Sequence, residues 1–181
     1  MTLKIAINGF GRIGRSVLRS VLEYDHTDIE VVAINDLADN NTLAHLLRYD
    51  SVHGRLNSTV TVVDGGFDVN GKFIRVTKER DPGKLPWGDV DIALECTGHF
   101  ASQEGGEQML KSGASKILIS APGKNVDKTV VYGVNHDILT DDDIIVSNGS
   151  CTTNCLAPIA KVLNELCGIK SGYMTTIHAY T

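Results

Sequence analysis

Apolar positions along this chain switch between two periods. Residues 3–9 (LKIAING) form a short apolar run closed by glycine. In residues 12–24 (RIGRSVLRSVLEY), Ile13, Val17, Leu18, Val21 and Leu22 recur every three or four positions, the spacing of one helix face. Residues 29–36 (IEVVAIND) are β-branched and almost wholly apolar, as a strand buried on both faces requires. The strand pattern returns at 91–98 (DIALECTG), 115–122 (SKILISAP) and 143–148 (DIIVSN), with a weaker helical segment at 102–113 that closes on Gly113. Strands alternating with helices predict βαβ units, hence an α/β fold on a mainly parallel sheet with right-handed crossovers.

One stretch breaks the alternation. Residues 59–79 carry two glycine turns, Asp64-Gly65-Gly66 and Asn70-Gly71, between β-rich runs. Asn-Gly suits a hairpin because both central residues of a type I′ turn need positive φ, so an antiparallel excursion within the sheet is expected. Further on, 151–168 reads as a helix with Leu156, Ile159, Ala160, Val162, Leu163 and Leu166 on its apolar face and Gly168 as its stop. A last strand is predicted from Gly172 to His178.

The first strand and first helix meet in INGFGRIG, where Gly9, Gly11 and Gly14 spell G-x-G-x-x-G. Strand before, helix after and an acidic residue at the end of the next strand make this the dinucleotide-binding turn of a doubly wound, Rossmann-type sheet. The first glycine permits the turn, the second lets a pyrophosphate approach the backbone, and the third lets helix and strand pack closely. Asp36, 22 residues past Gly14, is placed to bond the adenosine ribose. A carboxylate there repels a 2′-phosphate, so the expected cofactor is NAD.

Composition narrows the rest. Net charge is −5 and Lys and Arg are scattered, which gives no footprint for nucleic acid or an anionic membrane. No apolar run approaches the roughly 18 residues of a membrane span. The acidic run Asp141, Asp142, Asp143 reads as a solvated turn, and the four cysteines read as reduced thiols of a cytoplasmic protein. Cys151 and Cys155 lie in SNGSCTTNC, and three roles compete for them. A metal site would need further ligands, which Cys96 and Cys167 do not supply at suitable spacing, so no metal is expected. Burial as inert thiols is the reading for Cys96, Cys155 and Cys167. Cys151, in a polar setting at a helix N-terminus, suits a nucleophile. Of six histidines, His178 is the one that a returning strand could bring back to it, and spacing makes that pairing only suggestive.

Taken together, INGFGRIGR, AIND, RYDSVHGR, RVTKERDP, ECTG, SCTTNCLAP and TTIHAYT run in order along the chain and resemble phosphorylating glyceraldehyde-3-phosphate dehydrogenases. The resemblance implies that Cys151 is the nucleophile and His178 its base. It implies that Ser150, Thr152 and Thr181 contact substrate or phosphate. It also implies that Arg12, Ile13, Asp36, Arg80, Thr97 and Ser120 contact NAD. The implied reaction is oxidation of a sugar phosphate to an acyl phosphate through a cysteine thioester, in a cytoplasmic homotetramer of glycolysis. Gly149 departs from the alanine usual in the family and is expected to loosen the backbone slightly.

The resemblance covers about half of the family's polypeptide. Residues 1–150 are therefore read as the NAD-binding domain and 151–181 as the start of a catalytic domain whose remainder is absent. Such a fragment is expected to be inactive or weakly active alone. Two other readings remain: an erythrose-4-phosphate dehydrogenase, and a non-catalytic NAD-binding module.

Overall fold

The fold is given by a computed structural model that describes residues 2–24 and 26–178. In chain order the elements are β1 (Leu3–Asn8), α1 (Arg12–Glu23), β2 (Ile29–Asn35), α2 (Asn40–Arg48), β3 (Tyr49–Asp50), β4 (Gly54–Arg55), β5 (Val60–Val63), β6 (Gly66–Val69) and β7 (Lys72–Thr77). They continue as β8 (Val90–Glu95), α3 (Gln103–Leu110), β9 (Ala114–Ile119), β10 (Lys128–Thr129), β11 (Ile145–Ser147) and α4 (Cys151–Cys167). Nine strands form one sheet in the order β10-β11-β9-β8-β1-β2-β7-β6-β5, and β3 and β4 pair separately.

The predicted alternation becomes a parallel sheet from β10 to β7, while β5, β6 and β7 pair antiparallel as the expected excursion. At its tip Asn70 and Gly71 both take positive φ, 53° and 82°, as the Asn-Gly pair predicts. The excursion extends the sheet edge because β7 also pairs with β2. β1 lies between β2 and β8, so the chain winds outward in both directions from it. The crevice at the carboxyl ends of β1, β2 and β8 is the switch point of the sheet.

Alternate residues of the central strands feed two cores. Ile5, Ile7, Val31, Ile34 and Leu94 meet Leu18 of α1 and Leu43 and Leu47 of α2, with Phe10 and Phe67 fully buried beside them. Ala6, Ala33 and Ala93 form the opposite core with Trp87, Met109 of α3 and Ile145. Each fully buried Leu, Ile or Phe side chain contributes roughly 1.5–3 kcal/mol relative to exposure. Helix α2 is an addition to the sequence reading. Its signals are present: the Asp39 carboxylate caps the N–H of Thr42, and Leu43 and Leu47 are one turn apart. The weak helix α3 holds because its glycines are required by contact. A Cβ on Gly106 would lie 2.7 Å from the Ile145 side chain, and one on Gly105 would lie 2.4 Å from the Phe100 carbonyl oxygen.

Several expectations fail locally. Residues 172–178 form no strand, because no neighbouring strand among the described residues offers them a ladder. Cys155 and Cys167 are exposed instead of buried. The cause is α4, whose apolar residues Leu156, Ile159, Val162, Leu163 and Leu166 are all exposed, with no described element packed over them. Asp143 is buried and accepts from the backbone N–H and hydroxyl of Thr140, so only Asp141 and Asp142 form a solvated turn. No described helix is long and apolar enough to cross a membrane.

Candidate active site

A cleft of about 470 Å³ opens at the switch point. Gly9 and Gly11 form one wall, Asp36 and Arg80 another, and Thr97 a third, with Asn8, Asn35 and Cys96 also lining it. These come from the ends of β1, β2, β7 and β8, which parallel pairing brings to one edge.

The glycine turn has the geometry the motif needs. Gly9 adopts φ +91°, and a Cβ there would lie 2.8 Å from the Cys96 and Thr97 backbone. Gly14 packs against the same turn. Gly11 faces open space, with no heavy atom within 4 Å of where its Cβ would be. It is also the N-cap of α1, without a side-chain cap and without an acidic residue in the first turn. Free N–H groups and the positive end of the helix dipole thus face the cleft, and among the described residues no carboxylate is bonded to the N–H groups of the first turn of α1. The Asp36 carboxylate accepts from the N–H of Phe10 at 2.8 Å and from that of Ala38 at 2.9 Å, which fixes it beside the turn. The cradle, the uncapped helix and the carboxylate fit a dinucleotide.

Four residues expected at the cofactor stand off the cleft lining: Gly14, which packs under the turn, and Arg12, Ile13 and Ser120. Ile13 is exposed on the first turn of α1, and Ser120 donates its hydroxyl to the Glu95 carbonyl. The Arg12 guanidinium is drawn to Asp50, with N–O distances of 3.1 and 3.4 Å. The N–H of His53, then that of Val52, draw the Asp50 carboxyl down to about 2; burial opposes them and the Arg12 charge adds to them. A depressed carboxyl stabilises the fold above its ordinary value of 3.8 and loses that contribution as pH falls toward about 2. Asp50→Asn is expected to lower the melting temperature at neutral pH and to flatten its fall between about pH 4 and pH 2. A melting series over pH checks both.

The second cluster sits on the same sheet edge, past β11. The chain turns there through Gly149 at φ +68°. Glycine therefore fits this turn without strain; an alanine held in this conformation would cost about 1 kcal/mol. The Asn154 side-chain amide donates to the carbonyls of Asn148 and Ser150, at 2.6 and 2.9 Å, and locks the turn. Ser150 caps α4, its hydroxyl accepting from the Thr153 N–H at 3.0 Å. Cys151 then opens the helix, exposed, with its N–H and that of Thr152 meeting no acceptor among the described residues. His178, although not on a strand, returns to this point: its Nε2 lies 3.3 Å from Cys151 Sγ and 3.5 Å from Thr152 Oγ1. Thr181 lies outside the described residues. Among the described residues no group of His, Cys, Asp and Glu is arranged to hold a metal.

A thiol and an imidazole in contact at a helix N-terminus, beside a dinucleotide cleft, make a pair suited to acyl transfer coupled to hydride transfer. Residues 3–103 match the NAD-binding domain of glyceraldehyde 3-phosphate dehydrogenase, and residues 150–181 match the C-terminal domain of the same enzyme. The chain belongs to the glyceraldehyde-3-phosphate dehydrogenase family. It is 58% identical over 181 residues to the glyceraldehyde-3-phosphate dehydrogenase of Cereibacter sphaeroides, covering 100% of this chain and 54% of that relative. The enzyme of Geobacillus stearothermophilus is 56% identical over 184 residues, with 100% and 54% covered, and that of Clostridium acetobutylicum is 56% identical over 180 residues, with 98% and 53% covered. The chain thus spans about half the length of these relatives. Its cofactor is NAD, the dinucleotide bound by the domain family to which its glycine turn belongs.

Sequence reasoning missed the floor of the cleft. Asn8 and Asn35 line it and Glu95 lies fully buried beneath them; each is a buried polar residue that closes an apolar stretch, Ile5–Ile7, Val31–Ile34 and Ile92–Leu94. That position, a polar residue closing an apolar run, was their signal.

Proposed function

We propose that the cleft and the Cys151–His178 pair are two parts of one active site, which oxidises glyceraldehyde 3-phosphate to 1,3-bisphosphoglycerate with NAD and inorganic phosphate. The observation that carries this is the 3.3 Å contact between Cys151 Sγ and His178 Nε2 at the start of α4, on the sheet edge that also holds the cleft. Gly9, Gly11, Asp36, Arg80 and Thr97 would hold the cofactor, with Gly14 setting the turn and Arg12, Ile13 and Ser120 beside it. NAD supplies the hydride acceptor when bound.

Cys151 Sγ adds to the aldehyde carbon while its proton passes by way of His178 to the aldehyde oxygen, which becomes a hydroxyl and leaves His178 free to accept again. The N–H groups of Cys151 and Thr152 hold the oxygen of the adduct, as unpaired donors at a helix start can. As the adduct is oxidised, His178 removes the hydroxyl proton and a thioester remains on Cys151. Inorganic phosphate, positioned by Ser150, Thr152 and Thr181, attacks the thioester carbon and releases the thiol as the acyl phosphate forms. The reaction is a step of glycolysis, which places the protein in the cytoplasm.

We read residues 1–150 as the NAD-binding domain and 151–181 as the beginning of the catalytic domain. The exposed apolar stripe of α4 supports this, since it requires a covering surface that the described residues do not provide. A homotetramer is the assembly proposed for the full-length protein, and the 181-residue chain alone is expected to turn over poorly or not at all. The test compares glyceraldehyde 3-phosphate with erythrose 4-phosphate, with and without inorganic phosphate, in the full-length protein. Phosphate-dependent NADH formation favouring the triose is the expected result. Preference for erythrose 4-phosphate, or indifference to phosphate, would overturn it.

A further inference from the structure

The floor of the cleft is one continuous hydrogen-bonded chain across four strands. Glu95, with no exposed surface, accepts through Oε1 from the N–H of Thr97 at 2.7 Å, from that of Gly98 at 3.1 Å and from the Thr97 hydroxyl. Its Oε2 accepts from Asn8 Nδ2 at 2.7 Å. Asn8 Oδ1 accepts from Asn35 Nδ2 at 2.8 Å. Asn35 Nδ2 also donates to the Glu79 carbonyl, and Asn35 Oδ1 accepts from the Glu79 N–H and the Thr77 hydroxyl, all at 2.8 Å. The chain therefore begins at the 97–98 turn on one side of the cleft and ends beside Arg80 on the other.

Its direction is set at its two ends, by the Glu95 carboxylate and by the Glu79 N–H. A carboxylate can only accept, so Asn8 must turn its amide nitrogen toward Glu95 and its oxygen toward Asn35. Asn35 must then do the same, leaving its oxygen for the Glu79 N–H. We propose that Glu95 is a positioning residue for NAD, whose acceptor-only carboxylate matches the polarity that the Glu79 N–H imposes from the far end of the Asn8–Asn35 relay and so holds the two walls of the cleft, Thr97–Gly98 and Glu79–Arg80, in register. This rests on the cleft being the NAD site.

Glutamine has the same shape as glutamate but turns one acceptor into a donor. If its nitrogen faces the 97–98 turn, it meets the N–H groups of Thr97 and Gly98. If it faces Asn8, both asparagines must flip, and Asn35 then presents Nδ2 to the Glu79 N–H. Each arrangement opposes two donors in a buried site. Adding Asn8→Asp removes the conflict: the new carboxylate accepts from glutamine on one side and from Asn35 on the other, and every partner is again satisfied.

The experiment uses the full-length protein: NAD titration calorimetry, well below the melting transition of each variant, and amide hydrogen exchange. Glu95→Gln should weaken NAD at least fivefold and deprotect both the Gly98 amide and the Glu79 amide at the far end of the chain. The double variant Glu95→Gln/Asn8→Asp should regain affinity to within about threefold of the parent and restore protection at Glu79. Should Glu95→Gln fail to fold, a double variant that folds and binds NAD like the parent supports the proposal equally. Parent-like affinity in Glu95→Gln with a lowered melting temperature would reduce Glu95 to a structural residue. A double variant as weak as the single one would overturn the polarity argument. If the parent itself does not bind NAD, the cofactor reading of the cleft falls, and the inference falls with it.

Discussion

Cys151→Ser in the full-length protein should lower turnover by at least about 10³-fold, as loss of a nucleophile that works as a unit with its base does. NAD affinity should stay close to that of the parent, because Cys151 does not line the cleft. The fold should survive, since Ser150 caps α4 by accepting from the Thr153 N–H and Asn154 ties its opening turn. A serine hydroxyl is a far weaker nucleophile than a thiol paired with imidazole, so loss of chemistry without loss of binding is the expected signature. Retention of every function would instead support a non-catalytic NAD-binding module. Alkylation rates supply the companion measurement. Burial pushes the Cys96 thiol up to about 11, which leaves on the order of 0.1% thiolate at pH 8, so Cys96 should react last. Cys155 and Cys167 are exposed in this chain and have no histidine partner among the described residues, which makes them the informative controls. Equal rates at Cys151, Cys155 and Cys167 would count against activation by His178.

The second large effect separates two glycines of the same motif. Gly14→Ala should destabilise the fold by about 3 kcal/mol or more, because the new Cβ would lie 2.2 Å from the Gly9 carbonyl oxygen and 2.9 Å from the Ile7 side chain. Neither the β1–α1 turn nor the core strand can yield enough to accept it. Gly11→Ala should behave in the opposite way. Gly11 has an ordinary φ of −69° and open space beside it, so alanine should cost no more than about 1 kcal/mol at this N-cap. The added methyl would occupy the space over the start of α1 that a pyrophosphate needs, and NAD affinity should fall at least tenfold, by about 1.4 kcal/mol or more. Thermal melts and NAD titrations of the two variants, side by side, check both. Undiminished NAD binding by Gly11→Ala would mean that the cradle is not the phosphate site.

What was legible from sequence follows from which forces are local. The buried strands β1, β2, β8 and β9 showed themselves as apolar runs because both their faces are covered, and the Asn70-Gly71 turn because its backbone needs positive φ. The glycine turn and Asp36 could be read because phosphate and ribose recognition use a short segment and one residue a fixed distance on. Cys151 was set apart from Cys155 by its polar neighbours and its place at a helix start.

Tertiary structure decided what depends on partners remote in sequence. Helix α2 forms because Leu43 and Leu47 find the sheet, which its short pattern alone did not announce. Residues 172–178 carry a strand-like sequence yet form none, since a strand exists only with a neighbour to bond. The Asn8–Asn35–Glu95 relay could not be foreseen either, because it requires three strand ends from distant parts of the chain to share one edge. Sequence by itself determined the kind of sheet, the cofactor turn and the candidate nucleophile, all fixed by local pattern. Only the three-dimensional arrangement brought His178 to Cys151 across 27 residues and joined the walls of the cleft through a buried carboxylate.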